Sequence, residues 1–339
     1  MAATDVFVIG GGPAGLAAAI AARRKGLRVV LADGNCPPID KACGEGLMPE
    51  TRRAAAALGI AIPETAGREF RGVRFLSERF SVQADFPGQE GLGVRRTALH
   101  RLLVAAAEQA GVDLRWNQPV TGPEMVKADW VIGADGAGSQ VRRWAGLDRI
   151  RNSSRRYAFR RHFAVAPWSR HMEVHWGDGC QIYITPTGSG EVCAALISRD
   201  PHLRLEQAMA RSFPRLAERL RGAEPTSRER GSTTSTLRLA AVARGNVALV
   251  GDASGSVDAI TGEGIGLSFR QASVLADAMA AGDLRRYDAA HPRLAFRPML
   301  MANLMLVLDR GRALREMGIG ALASAPLVFR KLLEVHAGA

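Results

Sequence analysis

The sequence predicts an α/β protein with one parallel and one antiparallel sheet, followed by a helical C-terminus. Three patterns carry this prediction. An apolar run near the N-terminus leads through glycines into an alanine-rich segment, several strand-like runs follow one another between residues 159 and 198, and the chain from Gly266 onward has a mostly helical pattern. Buried parallel strands are short continuous apolar runs, whereas half-buried strands alternate apolar and polar residues.

The size and composition indicate a globular protein. The chain has 339 residues, of which 47% are hydrophobic and 37 are glycines, so it can bury a large core and does not resemble a fibrous or disordered protein. The net charge of +12 comes almost entirely from arginine, because lysine occurs only at Lys25, Lys41, Lys127 and Lys331. The arginines are scattered without a long run or an aromatic-interleaved stripe, so we predict no nucleic-acid partner.

Cysteine spacing and the order of charges at the N-terminus indicate a reducing compartment. The four cysteines form no CxxC pair and no metal-ligand spacing, so neither disulfides nor a metal site is predicted. His171 and His175 alternate as in a strand and lack the order of a zinc helix motif. The charges of Arg23, Arg24 and Lys25 follow the first apolar stretch, the reverse of a secretory signal, and no 18-residue apolar run occurs. We therefore predict a cytoplasmic protein.

Residues 5 to 33 have the pattern of a βαβ unit. Asp5 to Ile9 is predicted as a buried strand, Pro13 to Lys25 as a helix, and Leu27 to Ala32 as a second strand that ends at Asp33. The length of this unit matches the first βαβ segment of the Rossmann dinucleotide-binding fold.

The turn between the first strand and the helix carries the spacing Gly10-x-Gly12-x-x-Gly15. In this fingerprint the first glycine allows the tight turn, the second lets a pyrophosphate approach the backbone, and the third lets helix and strand pack closely. The helix N-terminus offers free N–H groups and a partial positive charge to the phosphates. Asp33, 18 residues after Gly15, is placed to accept a hydrogen bond from a ribose hydroxyl. This motif is compatible with either NAD or FAD as the bound dinucleotide.

Two later segments favour FAD over NAD. Gly251-Asp252 follows the apolar strand Val247 to Val250, which places a carboxylate at a strand end, where it suits a polyol chain. FAD has a ribitol chain there and NAD does not. The run Thr261 to Gly266 leads into a helix from about Leu267 to Ala281, whose start would direct N–H groups at the pyrimidine edge of a flavin. We therefore predict FAD as the cofactor.

The remaining elements divide the chain between the two sheets. Arg71 to Phe86 has the pattern of a hairpin, and Thr97 to Ala110 and Leu203 to Arg221 have that of helices. Only about eight residues separate Val120 from Asp129, too few for a three-stranded meander, so we expect an abbreviated cover on the adenine side. The predicted division is an FAD-binding domain of residues 1–70, 93–150 and 244–285, a substrate domain of residues 71–92 and 151–243, and C-terminal helices over residues 286–339.

Three glycine-and-acid motifs and a helix start together resemble one flavoprotein superfamily, that of p-hydroxybenzoate hydroxylase and geranylgeranyl reductase. They are Gly10 to Gly15, Gly133-Ala134-Asp135-Gly136, Gly251-Asp252 and Arg96-x-x-Leu99. The resemblance covers roughly residues 4 to 285 and implies a glutathione-reductase-like Rossmann domain interleaved with an antiparallel substrate domain. It implies that Asp33 binds the adenosine ribose, Arg96 the phosphate and ribityl region, and Asp252 the ribityl hydroxyls. The implied FAD-binding set is Gly10, Gly12, Pro13, Ala14, Gly15, Asp33, Arg96, Val120, Asp135, Gly136, Gly251, Asp252, Gly262, Gly264, Ile265 and Gly266.

Within the superfamily, different segments favour different subgroups. Lys41 to Leu47 resembles the Cys-Gly-Gly-Gly segment of geranylgeranyl reductases, which implies that Cys43 lies near the flavin; the alternative is a small buried cysteine beside a glycine turn. Asp258-Ala259 stands where hydroxylases usually keep a proline. The Tyr-x-Trp-x-Phe-Pro strand typical of the reductases is replaced by Tyr183 to Pro186 without the tryptophan, and the Trp-x-Trp-x-Ile-Pro signature of flavin halogenases is missing. The candidate substrate-facing residues are Cys43, Glu45 and Tyr183.

These patterns favour an NAD(P)H-dependent FAD monooxygenase for a small lipophilic, phenolic or polyketide-derived substrate, acting through a flavin C4a-hydroperoxide, with NAD(P)H bound transiently. Two alternatives stay open: an FAD-dependent reductase of carbon–carbon double bonds in an isoprenoid lipid, and a flavoprotein maturation partner that acts on another protein. Residues 298–308 and 319–333 are apolar helical stretches, suited to core or lid packing, to lining a lipophilic tunnel or to peripheral contact with a bilayer. The sequence predicts no particular oligomeric state.

Overall fold

The computed structural model describes residues 4 to 338, apart from the side chains of residues 152 and 153. The strands of this part of the chain are β1 (Val6–Ile9), β2 (Val29–Ala32), β3 (Gly46–Leu47), β4 (Arg68–Phe70), β5 (Gly72–Leu76), β6 (Ser81–Asp85), β7 (Gly91–Gly93), β8 (Asp113–Arg115), β9 (Trp130–Gly133), β10 (Ile150–Ala164), β11 (His171–Gly177), β12 (Cys180–Gly188), β13 (Glu191–Ser198), β14 (Glu224–Pro225), β15 (Arg230–Leu239), β16 (Ala243–Arg244) and β17 (Val247–Leu249).

The α-helices of the described residues surround and connect these strands. They are α1 (Pro13–Arg24), α2 (Pro49–Ala57), α3 (Arg96–Gln109), α4 (Gln140–Trp144), α5 (Leu205–Ser212), α6 (Pro214–Arg219), α7 (Gly264–Ala280), α8 (Arg285–Leu308), α9 (Arg312–Ser324) and α10 (Pro326–His336). None of them is long and apolar enough to cross a membrane.

The first sheet has the strand order β16-β17-β9-β1-β2-β8. Strands β17, β9, β1, β2 and β8 pair in parallel, and only the short edge strand β16 runs antiparallel. All four residues of β1 are buried, as expected for a parallel strand covered on both faces. Parallel strands end at the same edge of their sheet, so the three glycine-and-acid motifs, which follow β1, β9 and β17, meet at one edge.

The second sheet is larger and has the order β14-β10-β13-β12-β11-β5-β6, with β15 also paired to β10. Its central strands are antiparallel, which confirms the predicted antiparallel sheet, and the predicted hairpin β5–β6 joins it through a parallel pair between β5 and β11. A separate three-stranded sheet, β3-β7-β4, lies in the segments that connect the two larger sheets. The sheets therefore interleave along the chain.

Three elements differ from the sequence-based expectation or refine it. The single helix expected over Leu203 to Arg221 is two helices, because Pro214 has no N–H group and restricts the residue before it, so the chain bends at Phe213. Helix α7 begins at Gly264 rather than at about Leu267. Residues 121–128 contain one short helical turn, Pro123–Met125, and no strand, which agrees with the short cover expected there.

Apolar side chains form three cores. The first joins the parallel sheet to α1, α3 and α7. The second joins one face of the large sheet to the C-terminal helices and includes Tyr183, Ile260, Ile319 and Phe329. The third lies under α5 and α6. Since Tyr183 belongs to β12 and Ile260 to the loop before α7, the second core connects the C-terminal helices to the place where the two large sheets meet.

Candidate active site

A cavity of about 600 Å³ lies between the carboxyl edge of the parallel sheet and one face of the large sheet. Nearly all residues that the sequence predicted for cofactor binding or substrate contact line this cavity, although they come from segments far apart in the chain. The exceptions are Gly15 and Gly266. The fold therefore brings the three motifs, the Cys43 segment and Tyr183 into one site.

The two exceptions pack helices rather than face the cavity. A Cβ atom on Gly15 would lie 1.8 Å from the carbonyl oxygen of Gly10, and a Cβ atom on Gly266 would lie 2.5 Å from Oγ1 of Thr51. Gly10 itself has φ +113°, and a Cβ there would lie 2.4 Å from the carbonyl oxygen of Ala134 in the second motif. The glycines thus allow α1, β1 and the Ala134 turn to approach closely.

Two helix N-termini face the cavity without a side-chain cap. Helix α1 starts after Gly12 and has no acidic residue in its first turn, and α7 starts after Glu263, whose side chain makes no capping hydrogen bond. A Cβ atom on Gly12 would meet no protein atom within 4 Å. The first N–H groups of a helix have no partner within the helix, so these two ends offer donors and partial positive charge to an anionic group.

Asp33 and Asp135 are both engaged in local hydrogen bonds. Oδ2 of Asp33 accepts from the Gly11 N–H at 2.6 Å. Oδ2 of Asp135 accepts from the Gln140 N–H at 2.6 Å, and its Oδ1 accepts from the Ser139 hydroxyl at 2.5 Å. The Asp33 carboxylate therefore holds the glycine turn after β1, and the Asp135 carboxylate holds the turn that carries it, besides lining the cavity. Contact between Asp33 and a ribose stays a prediction.

Arg96, Lys41 and Asp252 supply further charged groups to the part of the cavity next to the parallel sheet. Arg96 lines the cavity, and its Nε atom has no hydrogen-bond partner among the described residues. Lys41, which the sequence did not single out, places Nζ 3.0 Å from Oδ2 of Asp252, with both side chains partly exposed. The glycine cradle, the uncapped helix starts and the unpaired Arg96 nitrogen fit a long anionic dinucleotide.

Glu45 lines the cavity only with its backbone. Its side chain is 0% exposed and turns away, and its carboxylate accepts from the Arg96 N–H at 2.9 Å and lies 2.6 Å from Nε2 of His162. The residue has φ +60°, which directs the side chain into the interface between β10 and α3. The carboxylate predicted to face the substrate is therefore used to join those elements, because buried charges need partners.

Glu45, His162 and Cys193 place potential metal ligands within 4.8 Å of one another. Burial raises the pKa of the Cys193 thiol well above its ordinary value, so the thiolate that a metal ion requires is disfavoured. The Arg160 guanidinium, 3.6 Å from Oε1 of Glu45, supplies positive charge at the same place. We interpret this cluster as a hydrogen-bonded group that joins β10 to the Cys43 segment.

Tyr183 lines the cavity with its ring, whereas its hydroxyl donates to the carbonyl oxygen of Ile260 at 2.7 Å. Burial raises the pKa of Tyr183 far above its ordinary value, so it stays protonated. Tyr183 therefore holds the loop before α7 and does not present an acid to a substrate.

Asp258, at the position where a proline was expected for a hydroxylase, organises the same loop. Its Oδ1 accepts from the Ile260 N–H at 3.0 Å and lies 3.3 Å from an Arg156 nitrogen. The Arg156 guanidinium donates to Gln181 at 2.5 Å and also pairs with Asp309 after α8. Sequence patterns missed this buried network because its members are separated by up to about 150 positions.

Cys43 is the remaining candidate. It is partly exposed and lines the cavity, and the Glu45 N–H donates to its Sγ at 3.4 Å. The nearby wall from the large sheet has an apolar part, formed by Ala158, Phe159, Met172, Tyr183, Ala195 and Ile197, and a polar part, formed by Arg160 and Ser232 to Ser235. The Cys43 thiol thus faces the same cavity as the apolar part of this wall.

The fold and the site define a dinucleotide-binding flavoprotein. Residues 3–125 and 118–284 match the family described as the FAD binding domain, and the chain belongs to this family. Its cofactor is FAD, and it is an FAD-dependent oxidoreductase.

Relatives by sequence include proteins named as reductases. The menaquinone reductase of Mycolicibacterium smegmatis is 28% identical, with 96% of this chain and 89% of that protein covered. The digeranylgeranylglycerophospholipid reductase of Methanothrix thermoacetophila is 30% identical, with 82% and 79% covered.

Similar solved structures show the fold. The flavin-dependent brominase Bmp2 has a TM-score of 0.83 at 18% identity, with 99% of this chain and 94% of that chain covered. A geranylgeranyl bacteriochlorophyll reductase-like protein from Thermoplasma acidophilum has a TM-score of 0.75 at 22% identity, with 99% and 92% covered. These structures share one architecture and carry different chemistries, so they establish the fold alone.

Proposed function

We propose that this protein is an FAD-dependent reductase of carbon–carbon double bonds in a lipid with an isoprenoid chain, with NAD(P)H as its reductant. The observation that carries the proposal is the apolar part of the cavity wall on the large sheet, which runs from Ala158 and Phe159 to Ala195 and Ile197. Activating a phenol for oxygen transfer calls for a base or hydrogen-bond partner near the phenolic oxygen. On the apolar part of this wall the one hydroxyl, that of Tyr183, is bound to the carbonyl oxygen of Ile260.

The sequence relatives support the same choice. The two relatives described above are named for the reduction of a menaquinone and of a digeranylgeranylglycerophospholipid. Both names describe molecules with long isoprenoid chains. An apolar wall can bury such a chain, because burial of each CH₂ group contributes roughly 0.8 kcal/mol.

The residues that would hold FAD follow from the cavity lining. The glycine turn and the start of α1 suit the pyrophosphate, Arg96 and Asp252 the central part, and the start of α7 the flavin ring. FAD supplies two-electron redox chemistry at the ring. The chain contributes position, the exclusion of water and control of protons.

Reduction of a carbon–carbon double bond adds a hydride to one carbon and a proton to the other. The electrons come ultimately from NAD(P)H, and the proton needs an acid next to the substrate. We assign this role to the Cys43 thiol, because it lines the cavity, whereas the Glu45 side chain is turned away and the Tyr183 hydroxyl is hydrogen-bonded. The thiol regains its proton from water once the product has left.

Product analysis tests the proposal. The holoprotein is incubated without oxygen with NADPH and either geranylgeranyl diphosphate or a short-chain menaquinone. The mass of the product is then determined by mass spectrometry. We expect a product heavier by two hydrogen atoms per double bond reduced. A product that forms only when oxygen is admitted and contains one oxygen atom from it would contradict the proposal.

The Cys43 assignment has its own test. Cys43→Ser replaces the thiol with a hydroxyl that can still form hydrogen bonds, whereas Cys43→Ala removes the donor. We expect Cys43→Ala to lower kcat about 100-fold, in the range of general-acid contributions, with little change in KM or in flavin reduction by NADPH. Equal kcat in Cys43→Ala and the wild type would contradict the assignment.

Oxygen transfer to a lipophilic substrate is the second candidate function. It is favoured by the strand Tyr183 to Pro186, which lacks the tryptophan typical of reductases. A further relative is the probable 2-heptyl-3-hydroxy-4(1H)-quinolone synthase AqdB2 of Rhodococcus erythropolis, 29% identical over 83% of this chain and 81% of that protein. Incorporation of oxygen in the experiment above would establish this alternative.

A further inference from the structure

We propose that the outer face of the C-terminal helices docks on an anionic lipid bilayer. We call six exposed side chains of α8, α9 and α10 the apolar surface: Phe296, Leu300, Leu304, Val307, Met317 and Leu327. The partner is the bilayer itself, whichever lipid is the substrate.

The concentration of exposed apolar side chains in this region is unusual. Nine of the twelve large hydrophobic side chains that are exposed in the described residues lie between positions 296 and 335. Phe296 is 68% exposed, Met317 67% and Leu327 73%. Soluble proteins rarely expose large contiguous apolar patches unless they contact a partner or a membrane.

The helices have two apolar faces rather than one. On α8, the residues of the apolar surface recur at intervals of three or four positions and so share one side, whereas Ala295, Met301 and Ala302 are buried on the other. On α10, Leu327 is exposed while Phe329 and Leu333 are buried in the core against the large sheet. The inner faces pack into the core, whereas the apolar side chains of the outer faces are exposed.

Charge identifies the partner. Residues 285–338 contain nine lysines and arginines against four acidic residues, and seven of these nine basic residues form ion pairs, some with acidic residues outside this range. Arg293, one turn before Phe296, and Arg310, shortly after Val307, are exposed and form no ion pair within the described part of the chain. Apolar side chains beside basic ones match the boundary of an anionic bilayer, where each basic residue near the surface contributes about 1 kcal/mol.

The same helices contact the candidate active site from behind. Ala302 of α8 and Ile319 of α9 belong to one core with Ile260 and Tyr183. Ile260 lies between Ala259 and Gly262, which line the cavity. Docking would therefore hold the side of the cavity formed by the loop before α7 close to the bilayer, where a lipid substrate resides. This consequence rests on the proposed function, whereas the docking itself does not.

Vesicle flotation of the holoprotein tests the docking. Vesicles of phosphatidylcholine alone are compared with vesicles that also contain phosphatidylglycerol, at low and high salt. We expect binding to the anionic vesicles, weakened by salt, and little binding to the neutral ones. The triple variant Phe296→Glu, Met317→Glu and Leu327→Glu should bind at least ~10-fold more weakly.

The control is Ile150→Glu, which changes an apolar side chain that is 52% exposed but lies outside the C-terminal helices. It should bind vesicles as the wild type does. A triple variant that floats like the wild type, or a wild type that binds no vesicles, would overturn the proposal. A concentration-dependent dimer that the triple variant abolishes would show instead that a second copy covers the surface.

Activity on a dispersed short-chain prenyl substrate separates the two proposals. The triple variant should reduce this substrate at the wild-type rate, because its changes lie on the outer face. Loss of flotation with activity retained supports docking as a separate property. Flotation without reduction of any prenyl substrate would overturn the proposed function and leave docking in place.

Discussion

The two walls of the cavity are built in different ways. The nucleotide wall, at the edge of the parallel sheet, consists mainly of glycine turns and helix starts whose backbone approaches closely. The substrate wall, on the large sheet, depends on contacts between residues far apart in sequence: the Tyr183 hydroxyl is bound to Ile260, and the ion pair of Arg156 with Asp258 holds the loop beside the wall. The first wall is therefore specified by local motifs and the second by tertiary contacts.

This difference predicts that mutations behave differently on the two walls. Changes in the nucleotide wall should affect FAD retention, and changes in the substrate-wall network should affect stability first and leave FAD content unaltered.

The largest effect on stability is expected for Asp309→Asn. Asp309 is 0% exposed in its side chain and pairs with Arg156 and Arg199. Loss of its charge leaves the buried Arg156 undercompensated, so we expect the free energy of unfolding to fall by about 4 kcal/mol. Urea denaturation measures this, with the flavin spectrum as the readout of FAD content. Asp277→Asn, in an exposed pair with Lys25, is the control and should cost about 0.5 kcal/mol or less.

A pH-dependent change in the free energy of unfolding, of the order of 3 kcal/mol, is expected from Glu263, where the loop before α7 meets α10. Burial raises its pKa from 4.5 to about 7. Between pH 4.5 and about 7 the Glu263 carboxyl has lost its proton in the unfolded chain but keeps it in the folded chain. The stability that the protonated carboxyl contributes is therefore lost as the pH rises to about 7. Glu263→Gln, which carries no charge, should be more stable than the wild type at pH 8, with the difference vanishing near pH 4.

The Glu263 prediction is checked by thermal denaturation across that pH range. A difference that grows towards low pH would contradict the assigned direction. Glu64→Gln, on an exposed carboxylate, is the control and should show little dependence on pH.

On the nucleotide wall, Gly15→Ala and Gly12→Ala form a matched pair. The added methyl at Gly15 would meet the Gly10 carbonyl, so we expect about 2 kcal/mol of destabilisation together with loss of FAD. The methyl at Gly12 meets no protein atom, so this variant should keep its stability and bind FAD more weakly. Calorimetry and FAD titration measure both effects. Full FAD retention in Gly12→Ala would contradict the placement of the pyrophosphate.

The smallest effect is expected for Tyr183→Phe. Removal of the hydroxyl leaves the Ile260 carbonyl without this donor, which should cost about 1 kcal/mol, while turnover stays within a factor of about 3 because Tyr183 is not an acid. The control is Tyr157→Phe, whose hydroxyl makes no hydrogen bond within the described chain and whose loss should have no effect. A much larger loss of turnover would restore a catalytic role to Tyr183.

The same contrast explains what could be predicted from the sequence. The βαβ unit, the antiparallel sheet and the convergence of the three motifs follow from local patterns, because glycine spacing and apolar runs act on neighbouring residues. The orientation of the Glu45 carboxylate depends on His162, more than 100 positions away, and that of the Tyr183 hydroxyl on Ile260. Local patterns carry no information on such pairs, so the sequence placed these residues at the cavity and missed where their polar groups point.

Oxidation of the reduced flavin by the substrate, in the absence of oxygen, tests the central claim most directly. Holoprotein is reduced anaerobically with NADPH, mixed with a prenyl lipid, and followed by flavin absorbance. We predict that the lipid restores the oxidised spectrum without oxygen and that Cys43→Ala slows this step. A spectrum that stays reduced until oxygen is admitted would contradict the assignment of the protein as a carbon–carbon double-bond reductase.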